Sequence, residues 1–261
     1  MFNISELNET QILMFGLILL RMTAFIVSAA IFSAQSVPVS LKVLFSVVLT
    51  LTVFKSVATS EALVRLHDLE NSLLVLSARE IAIGLCIGFV TRLFFFGLSM
   101  AGEIVSISLG LGQAQMFNPM MGSMGNAMEQ FYVLVGTLIY LSLSGHHLLV
   151  QGLVQSFSAT PVAVLQFHFG SFVEIVLKAQ SFFEIGIKIA SPILISMIVI
   201  QVGIALVSRA VPQINVLVTS ASITSLLGFV IIFISLPLLV MQMTGLMDLT
   251  HVEFFKFLKT L

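Results

Sequence analysis

The last uncharged stretch of this chain runs from Ala210 to Met247 and contains 38 residues. As a single helix it would be about 57 Å long, at about 1.5 Å per residue. The hydrocarbon core of a bilayer is about 30 Å thick and is crossed by about 20 residues. The stretch is therefore too long for one span. We predict a helical hairpin or a sharply kinked helix, with the bend at Thr219–Ser225.

The rest of the chain is also strongly apolar. Of its 261 residues, 58% are hydrophobic and 9% are charged, whereas soluble domains carry about 25% charged residues. The apolar runs are continuous rather than alternating, which argues against a membrane β-barrel. These features predict an all-α membrane protein. The net charge of −1 indicates no nucleic-acid partner, and the lone Cys86 excludes an internal disulfide.

The other apolar segments are mostly short or interrupted. We expect them at Gln11–Ser33, Pro38–Phe54, Ser72–Met100, Gln130–Val150 and Phe172–Ser208. The first two form a helical hairpin, and the first is expected to be retained because no basic residue precedes it as in a signal peptide. The polar stretch Thr59–Asn71 is expected to be a solvated connection. Glu184 and Lys188 support the last segment as an i,i+4 pair.

Charged residues lie within or beside these apolar segments: Arg21, Arg79, Glu80, Arg92 and Glu103. A charge at the bilayer centre costs about 2.5–3.5 kcal/mol on insertion scales, so such side chains need partners or a position away from lipid. One interpretation is an ion or proton pathway. The other is charge pairing between packed helices or subunits, and the interrupted segments favour it. We assign packing or interface roles to Arg21, Glu80, Arg92, Glu103 and Arg209.

The sequence gives little support for catalysis or metal binding. His146 and His147 are neighbours, and neighbouring side chains on a helix point about 100° apart, so they rarely share an ion. A position at a helix C-terminus suits them better. The only aspartates are Asp68 and Asp248, and no HExxH or GxSxG motif occurs. We expect no enzymatic activity, no metal and no cofactor.

The segment Gly110–Met128 differs from the rest of the chain. It contains five of the 13 methionines, several glycines and no charge, and its glycines and Pro119 argue against a continuous helix. Thioether side chains adapt to irregular gaps, and hydrophobic constrictions gate pores by excluding water. We predict a compliant seal made by Met116, Phe117, Asn118, Pro119, Met120, Met121 and Met124. The alternative is a passive linker in an assembly scaffold.

Small residues in the third segment indicate close helix packing. Gly84 and Gly88 are four residues apart, and Gly97 follows them. Such spacing lets two helix backbones approach closely in a membrane protein.

Several motifs together carry a resemblance to a known family. They are Arg21 with Pro38 after it, EIAIGLCIGF at Glu80–Phe89, Ala101-Gly102-Glu103, Gly145-His146-His147, Ser156-Phe157 ahead of Pro161, and SRAVPQINV at Ser208–Val216. In order and spacing, over nearly the whole chain, they resemble the FliR-like family of flagellar export-gate proteins and its type III secretion counterparts.

This resemblance implies a core component of the flagellar type III export gate, in the bacterial inner membrane at the flagellar basal body. The partners would be FliP, FliQ and an FlhB-like membrane protein, together with lipid, and the cargo would be unfolded flagellar proteins. The helices would be interrupted and paired in hairpins within a hetero-oligomer largely lifted out of the bilayer plane.

The resemblance also implies a division of the chain. Residues 1–209 would form a FliP-like part, 210–247 a FliQ-like hairpin and 248–261 an amphipathic tail. The loop at 110–128 would be the plug of a closed channel, with Asn118-Pro119 where Asp-Pro is common in the family. The competing hypothesis from the residues is an ion-coupled secondary transporter using Glu80, Glu103 and the arginines.

Overall fold

The computed structural model of the chain describes residues 8–33, 37–68, 72–111, 127–164, 169–210 and 216–260. These residues form eight α-helices and contain no β-strand. In chain order the helices are α1 (Glu9–Ser28), α2 (Val39–Val57), α3 (Ser60–Asp68), α4 (Leu73–Ser108), α5 (Ala127–Ser142), α6 (Gly145–Ala159), α7 (Phe169–Ala210) and α8 (Val216–Thr260). The prediction of an all-α fold is confirmed.

Most of these helices are long and apolar enough to cross a membrane. Within the described residues, five spans qualify: Glu9–Ser28, Val39–Val57, Leu73–Ser108, Gln180–Ala210 and Ser222–Lys256. A sixth candidate consists of α5 and α6, separated by a turn at Leu143 and Ser144. The chain is therefore an all-α membrane protein, as its composition predicts.

The chain divides into two compact units. The first comprises residues 1–93, 144–178 and 249–261, and the second comprises 94–143 and 179–248. The boundaries fall inside α4, α7 and α8, so each of these helices contributes one part to each unit.

In the first unit, α1 is the central helix. Its buried side chains include Met14, Ile18, Met22 and Phe25. It pairs with α2 as the predicted hairpin, in which the rings of Phe15 and Phe54 meet edge to face with centroids 5.8 Å apart. Pro38 directly precedes α2, where its fixed φ and missing N–H suit a helix start.

The first part of α4 lies very close to α1 because two glycines face it. A β-carbon at Gly84 would overlap the carbonyl oxygen of Arg21 and lie 2.8 Å from Ala24 Cβ. A β-carbon at Gly88 would overlap the hydroxyl of Ser28 and lie 2.9 Å from the Ala29 amide nitrogen. The predicted close approach through these glycines is confirmed, and only glycine permits it.

In the second unit, α7 and α8 follow one another and pack together. A β-carbon at Gly228 would lie 3.4 Å from the sulfur of Met197. Along the sequence, Met197 precedes residues 211–215 and Gly228 follows them by a similar number of residues. The close contact therefore fits a hairpin formed by two long helices. The same unit contains a ring contact between Phe94 and Tyr140, with centroids 5.4 Å apart.

The predicted hairpin turn at Thr219–Ser225 is wrong, because α8 is continuous from Val216 to Thr260. The hydroxyl of Thr224 donates to the Ser220 carbonyl of its own helix at 2.8 Å, and the hydroxyl of Ser225 donates to another helix end. A hydroxyl that bonds to a carbonyl of its own helix can bend that helix without ending it. No hairpin therefore turns within Val216–Met247.

Three other segments differ from their predicted form. The solvated connection at Thr59–Asn71 contains α3, which is anchored by the fully buried Leu66. The third segment extends to Ser108 rather than Met100. The fourth is broken at Ser144, whose φ of 59° lies in the left-handed region and separates two helices.

The close contact between α1 and α4 makes a testable prediction. Gly84→Ala should destabilise the protein by about 1–3 kcal/mol, because the added methyl group has no space between the two backbones. Gly16→Ala, on α1, is the matched control, since nothing lies within 4 Å of a β-carbon at that position. That change should leave stability the same or slightly higher, because alanine favours helix.

Thermal unfolding of the two variants in the same detergent measures the difference. Equal melting temperatures for Gly84→Ala and Gly16→Ala would contradict the packing described here.

Candidate functional site

A buried ion pair joins α1 and α4 beside the glycine contact. Arg21 Nε donates to Glu80 Oε2 at 2.5 Å, and both side chains are 0% exposed. Glu80, Gly84 and Gly88 are spaced four residues apart, so they lie on one face of α4. The small residues bring the two helices close enough for the short Glu80 side chain to reach Arg21.

Arg21 also binds the C-terminal end of α6. Its Nη1 donates to Ser156 Oγ at 3.2 Å and to Thr160 Oγ1 at 3.4 Å, and its Nη2 donates to the Thr160 carbonyl at 2.9 Å. The guanidinium carbon lies 4.2 Å from the centroid of the Phe157 ring, a distance suited to a cation–π contact. Arg21, which lies on α1, thus contacts both α4 and α6.

A second arginine completes the cluster. Arg79 Nη1 donates to the other carboxylate oxygen of Glu80, Oε1, at 3.1 Å and to the Pro161 carbonyl at 3.2 Å. Two guanidinium groups therefore share one carboxylate. The last carbonyls of a helix carry partial negative charge and lack intrahelical partners, so the end of α6 offsets the extra positive charge.

This cluster places two of the predicted interface or packing charges inside the chain. Arg21 and Glu80 are packed within the first unit. The sequence reasoning did not identify their partners Arg79, Ser156 and Thr160. One feature of the sequence could have indicated these partners. Ser156 and Thr160 are hydroxyl residues four positions apart, at the end of a helix that stops before Pro161.

The other predicted charges are exposed. Arg92 lies on α4 and donates from Nη2 to the hydroxyl of Ser33 at 3.2 Å. Glu103 on α4 and Arg209 on α7 are exposed on their helices. The structure therefore brings Arg21 and Glu80 together and leaves the other three at separate positions.

The histidine pair does not occupy the predicted helix C-terminus. His146 and His147 lie in the first turn of α6, after Ser144, with ring centroids 4.2 Å apart. The prediction is wrong because the fourth segment is interrupted at Ser144 rather than ending after the histidines.

All residues of the predicted seal lie outside the described residues. Met116, Phe117, Asn118, Pro119, Met120, Met121 and Met124 fall within 112–126. What the structure does describe is how the chain enters and leaves this segment, in the second unit.

The entrance is the end of α4, which closes with a defined turn. Gly110 has φ 74°, its amide donates to the Ile107 carbonyl at 3.0 Å, and the Leu111 amide donates to the Ser106 carbonyl at 3.2 Å. This pair of bonds is a Schellman motif, in which a glycine with positive φ stops the helix. The prediction that Gly110 interrupts helix is confirmed.

Two further helices hold that end in place. Gln201 Nε2 on α7 donates to the Ser108 carbonyl at 3.3 Å, and Ser225 Oγ on α8 donates to the Leu109 carbonyl at 3.1 Å. The side chain of Leu109 is fully buried and packs on Gly228. The C-terminal carbonyls of α4, which lack intrahelical partners, are therefore bonded to neighbouring helices.

The exit from the segment is fixed to α4 as well. A β-carbon at Gly102 would lie 2.6 Å from Glu129 Cα and 2.8 Å from the Met128 carbonyl oxygen, so the start of α5 touches α4 at backbone distance. Further along, the side chain of Leu98 fills the space beside Gly136. Both ends of the 112–126 segment are thus fixed at α4, whose end is bonded to α7 and α8 and whose Gly102 contacts the start of α5.

Comparison with known proteins shows which family the chain resembles over most of its length. The family model for bacterial export proteins, family 1, matches residues 12–250. The flagellar biosynthetic protein FliR of Aquifex aeolicus is 35% identical over 179 residues, which cover 66% of each chain. The FliR of Bacillus subtilis is 24% identical over 239 residues, 90% of this chain and 91% of the relative. The FliR of Escherichia coli is 24% identical over 221 residues, 85% and 83% respectively.

The charge cluster predicts that a conservative substitution of Glu80 strongly lowers the stability of the protein. Glu80→Gln should destabilise the protein by about 3–5 kcal/mol, because it leaves two buried guanidinium groups without a carboxylate. Glu184→Gln is the matched control. Glu184 pairs with Lys188 at 2.8 Å, but both side chains are more than 60% exposed, and exposed pairs contribute little.

Chemical and thermal unfolding of the two variants measures this difference, with the yield of folded protein as a second readout. A Glu80→Gln protein that unfolds like the control would show that the cluster does not hold the three helices together.

Proposed function

This chain belongs to the bacterial export proteins, family 1, and from that membership we propose that it is a membrane component of the bacterial flagellar export apparatus. Its place would be the inner membrane at the flagellar basal body. Within that apparatus it would form, with FliP-like and FliQ-like proteins and in contact with an FlhB-like protein, a gated conduit for unfolded flagellar subunits. Its role in that conduit would be structural rather than catalytic.

The apolar surface of the long helices supports assembly with other membrane proteins. In the apolar 18-residue windows that qualify α7 and α8 as spans, only 22% is buried within the chain, compared with 61% in that of α4. On α8, the consecutive residues Phe233 and Ile234 are 76% and 72% exposed, although neighbouring positions on a helix point in different directions. A helix that is apolar on several sides is suited to burial among other helices or in lipid.

The exposed charges fit the same proposal. Glu103 and Arg209 lie on membrane-crossing helices, where an exposed charge facing lipid is costly. We assign them to contacts with partner subunits, where opposite charges would compensate them. Arg92 belongs with them, since its guanidinium is exposed beyond its bond to Ser33.

The division of the chain into two family-like parts stays part of the proposal. A FliP-like part would carry the plug loop, followed by a FliQ-like helical hairpin. The sequence places that hairpin at residues 210–247. Because α8 is unbroken, we propose instead that the hairpin consists of α7 and α8, with the contact between Met197 and Gly228 inside it.

The segment between α4 and α5 is proposed as the plug of the closed conduit. The observation that carries this proposal is its anchoring: a Schellman turn bonded to α7 and α8 at one end, and backbone contact between α4 and α5 at the other. Such rigid ends position a charge-free, methionine-rich segment, and methionines close gaps without a fixed shape.

The transporter alternative finds less support. A proton or ion pathway through Glu80 needs access from water, but this carboxylate is 0% exposed and both its oxygens are bonded to guanidinium groups. That arrangement favours a structural role in the packing of three helices.

Purification tests the assembly part of the proposal. The full chain, extracted from bacterial membranes in mild detergent, should copurify with two small hydrophobic proteins in one large complex. A Glu80→Ala chain should give much less of this complex, because α1, α4 and α6 lose their shared ion pair. Recovery of the chain only as a monomer or simple dimer would contradict assembly, and normal complex yield with lost export would favour a relay role for Glu80.

Ion conductance tests the plug separately. Deleting Gln115–Ser123 should leave the complex assembled but make membranes that contain it permeable to small ions. Replacing Met116, Met120, Met121 and Met124 by serine should have a weaker effect in the same direction, since the segment remains but loses its apolar contacts.

Met241→Ser on α8 is the control for the methionine replacements, because Met241 lies outside the 112–126 segment, and conductance is compared in complexes that assemble. It should leave conductance unchanged. Unchanged conductance in the assembled deletion variant would show that the segment does not seal the conduit.

A further inference from the structure

The end of α4 is seated on α7 and α8 by one apolar contact and two side-chain hydrogen bonds. The side chain of Leu109 is fully buried and occupies the space that a β-carbon at Gly228 would need. The carbonyl of Ser108 accepts a bond from Gln201 on α7 at 3.3 Å, and that of Leu109 accepts one from Ser225 on α8 at 3.1 Å. Together these contacts form what we call the α4 clasp.

The hydrogen bonds of the α4 clasp can break without disturbing the helices that donate them. Both donors are side chains, so their release leaves the backbone bonds of α7 and α8 intact. Gln201 is exposed and Ser225 is half-buried. A serine hydroxyl on a helix can also bond to a carbonyl of its own helix, as Ser235 does with the Ile232 carbonyl at 3.1 Å. Ser225 therefore has a second partner available when it leaves α4.

The two helices that donate these bonds are the ones that other proteins can reach most easily. In the apolar 18-residue windows of α7 and α8, 22% is buried within the chain, compared with 61% in that of α4. A protein that packs on α7 and α8 therefore acts on the helices that carry both donors of the α4 clasp.

The contact at the other end of the 112–126 segment is of a different kind. A β-carbon at Gly102 would lie 2.6 Å from Glu129 Cα, so α4 and the start of α5 meet at backbone distance. Further along the same pair of helices, the side chain of Leu98 packs on Gly136. These are packing contacts, and no exchange of a side-chain hydrogen bond would separate them. Of the two ends, the α4 clasp is the one that can be released.

We propose that the α4 clasp couples α7 and α8 to the 112–126 segment. When α7 and α8 move away from α4, Gln201 and Ser225 release the two carbonyls and the entrance of the segment shifts, while its exit stays fixed at α5. Gln201 and Ser225 are thus positioning residues for the plug, and the signal that opens it arrives through α7 and α8. This inference rests on the proposed plug function and adds the helices that control it.

Loss of either hydrogen bond should increase the ion leak of the assembled resting complex. Gln201→Met keeps the length of the side chain but has no N–H donor, and Ser225→Ala removes the hydroxyl. Each should raise the leak about two- to tenfold, the factor by which one neutral hydrogen bond changes an equilibrium. The increase should come from a higher open probability at unchanged single-channel conductance, and Ser225→Thr should restore the wild-type leak.

Two matched variants control for the loss of a polar side chain from these helices. Gln180→Met removes an exposed amide from α7, and Ser235→Ala removes a hydroxyl that bonds within α8. Neither should change the leak. Hydrogen exchange at the amides of Gly110 and Leu111, which form the Schellman turn, should be faster in Gln201→Met and Ser225→Ala than in these controls. Equal exchange would show that the two side chains do not hold the end of α4.

A pair of disulfide crosslinks compares the two ends of the segment in cells, with Cys86 replaced by serine. Leu109→Cys with Gly228→Cys joins α4 to α8, and Leu98→Cys with Gly136→Cys joins α4 to α5. The geometry is matched, because the glycine β-carbon would lie 3.2 Å from Leu109 Cγ in the first pair and 3.3 Å from Leu98 Cγ in the second. The α4–α8 disulfide should block export until a reductant is added, whereas the α4–α5 disulfide should leave export unchanged.

The variant that lacks Gln115–Ser123 separates failure of this inference from failure of the plug. If that variant leaks, then export through the α4–α8 disulfide, or an unchanged leak in both Gln201→Met and Ser225→Ala, would overturn control by the α4 clasp and leave the plug in place. If the deletion variant assembles and does not leak, the plug is wrong and this inference is wrong with it.

Discussion

The buried Arg21 side chain determines how the helices of the first unit are arranged. A guanidinium removed from water is costly unless it is paired and fully bonded, and the partners of Arg21 lie 59 to 139 residues away in sequence. The carboxylate comes from α4, and the hydroxyl and carbonyl groups come from the end of α6. None of these contacts is sufficient alone, so the three helices are stable in this arrangement only together. The close approach at Gly84 and Gly88 is the geometric condition for that pairing.

The sequence predicts the fold class well because composition and local backbone chemistry determine it. Low charge and long apolar runs indicate membrane helices, Pro38 marks a helix start, Gly110 marks a helix end, and Gly84 with Gly88 marks a close helix contact. These are local signals. The partners of Arg21 are not local, since nothing in the spacing of residues states that α6 ends beside α1.

The wrong predictions have physical causes as well. The hydroxyl-rich stretch around Thr224 suggests a break, yet its side chains bond to their own helix or to α4 and leave the helix intact. The turn at Ser144 is marked only by small and polar residues between apolar ones. Helix α3 packs through the buried Leu66, although its charged sequence suggests a solvated connection. Residues 112–126 lie outside the described part of the chain, so the composition of the predicted seal remains a sequence-based hypothesis.

Because the ends of the 112–126 segment are fixed, the contacts by which it would seal the conduit need little affinity of their own. In the assembled conduit, a segment tied at both ends to its own helices stays close to the surfaces that it would seal, and short tethers correspond to effective concentrations in the millimolar range. Each contact can therefore be weak, and adaptable side chains such as methionine suffice without a complementary pocket. Weak contacts also break quickly, because affinity differences reside mainly in the dissociation rate. A tethered plug of this kind would stay in the conduit at rest. A passing chain would still displace it without unfolding the helices that hold it.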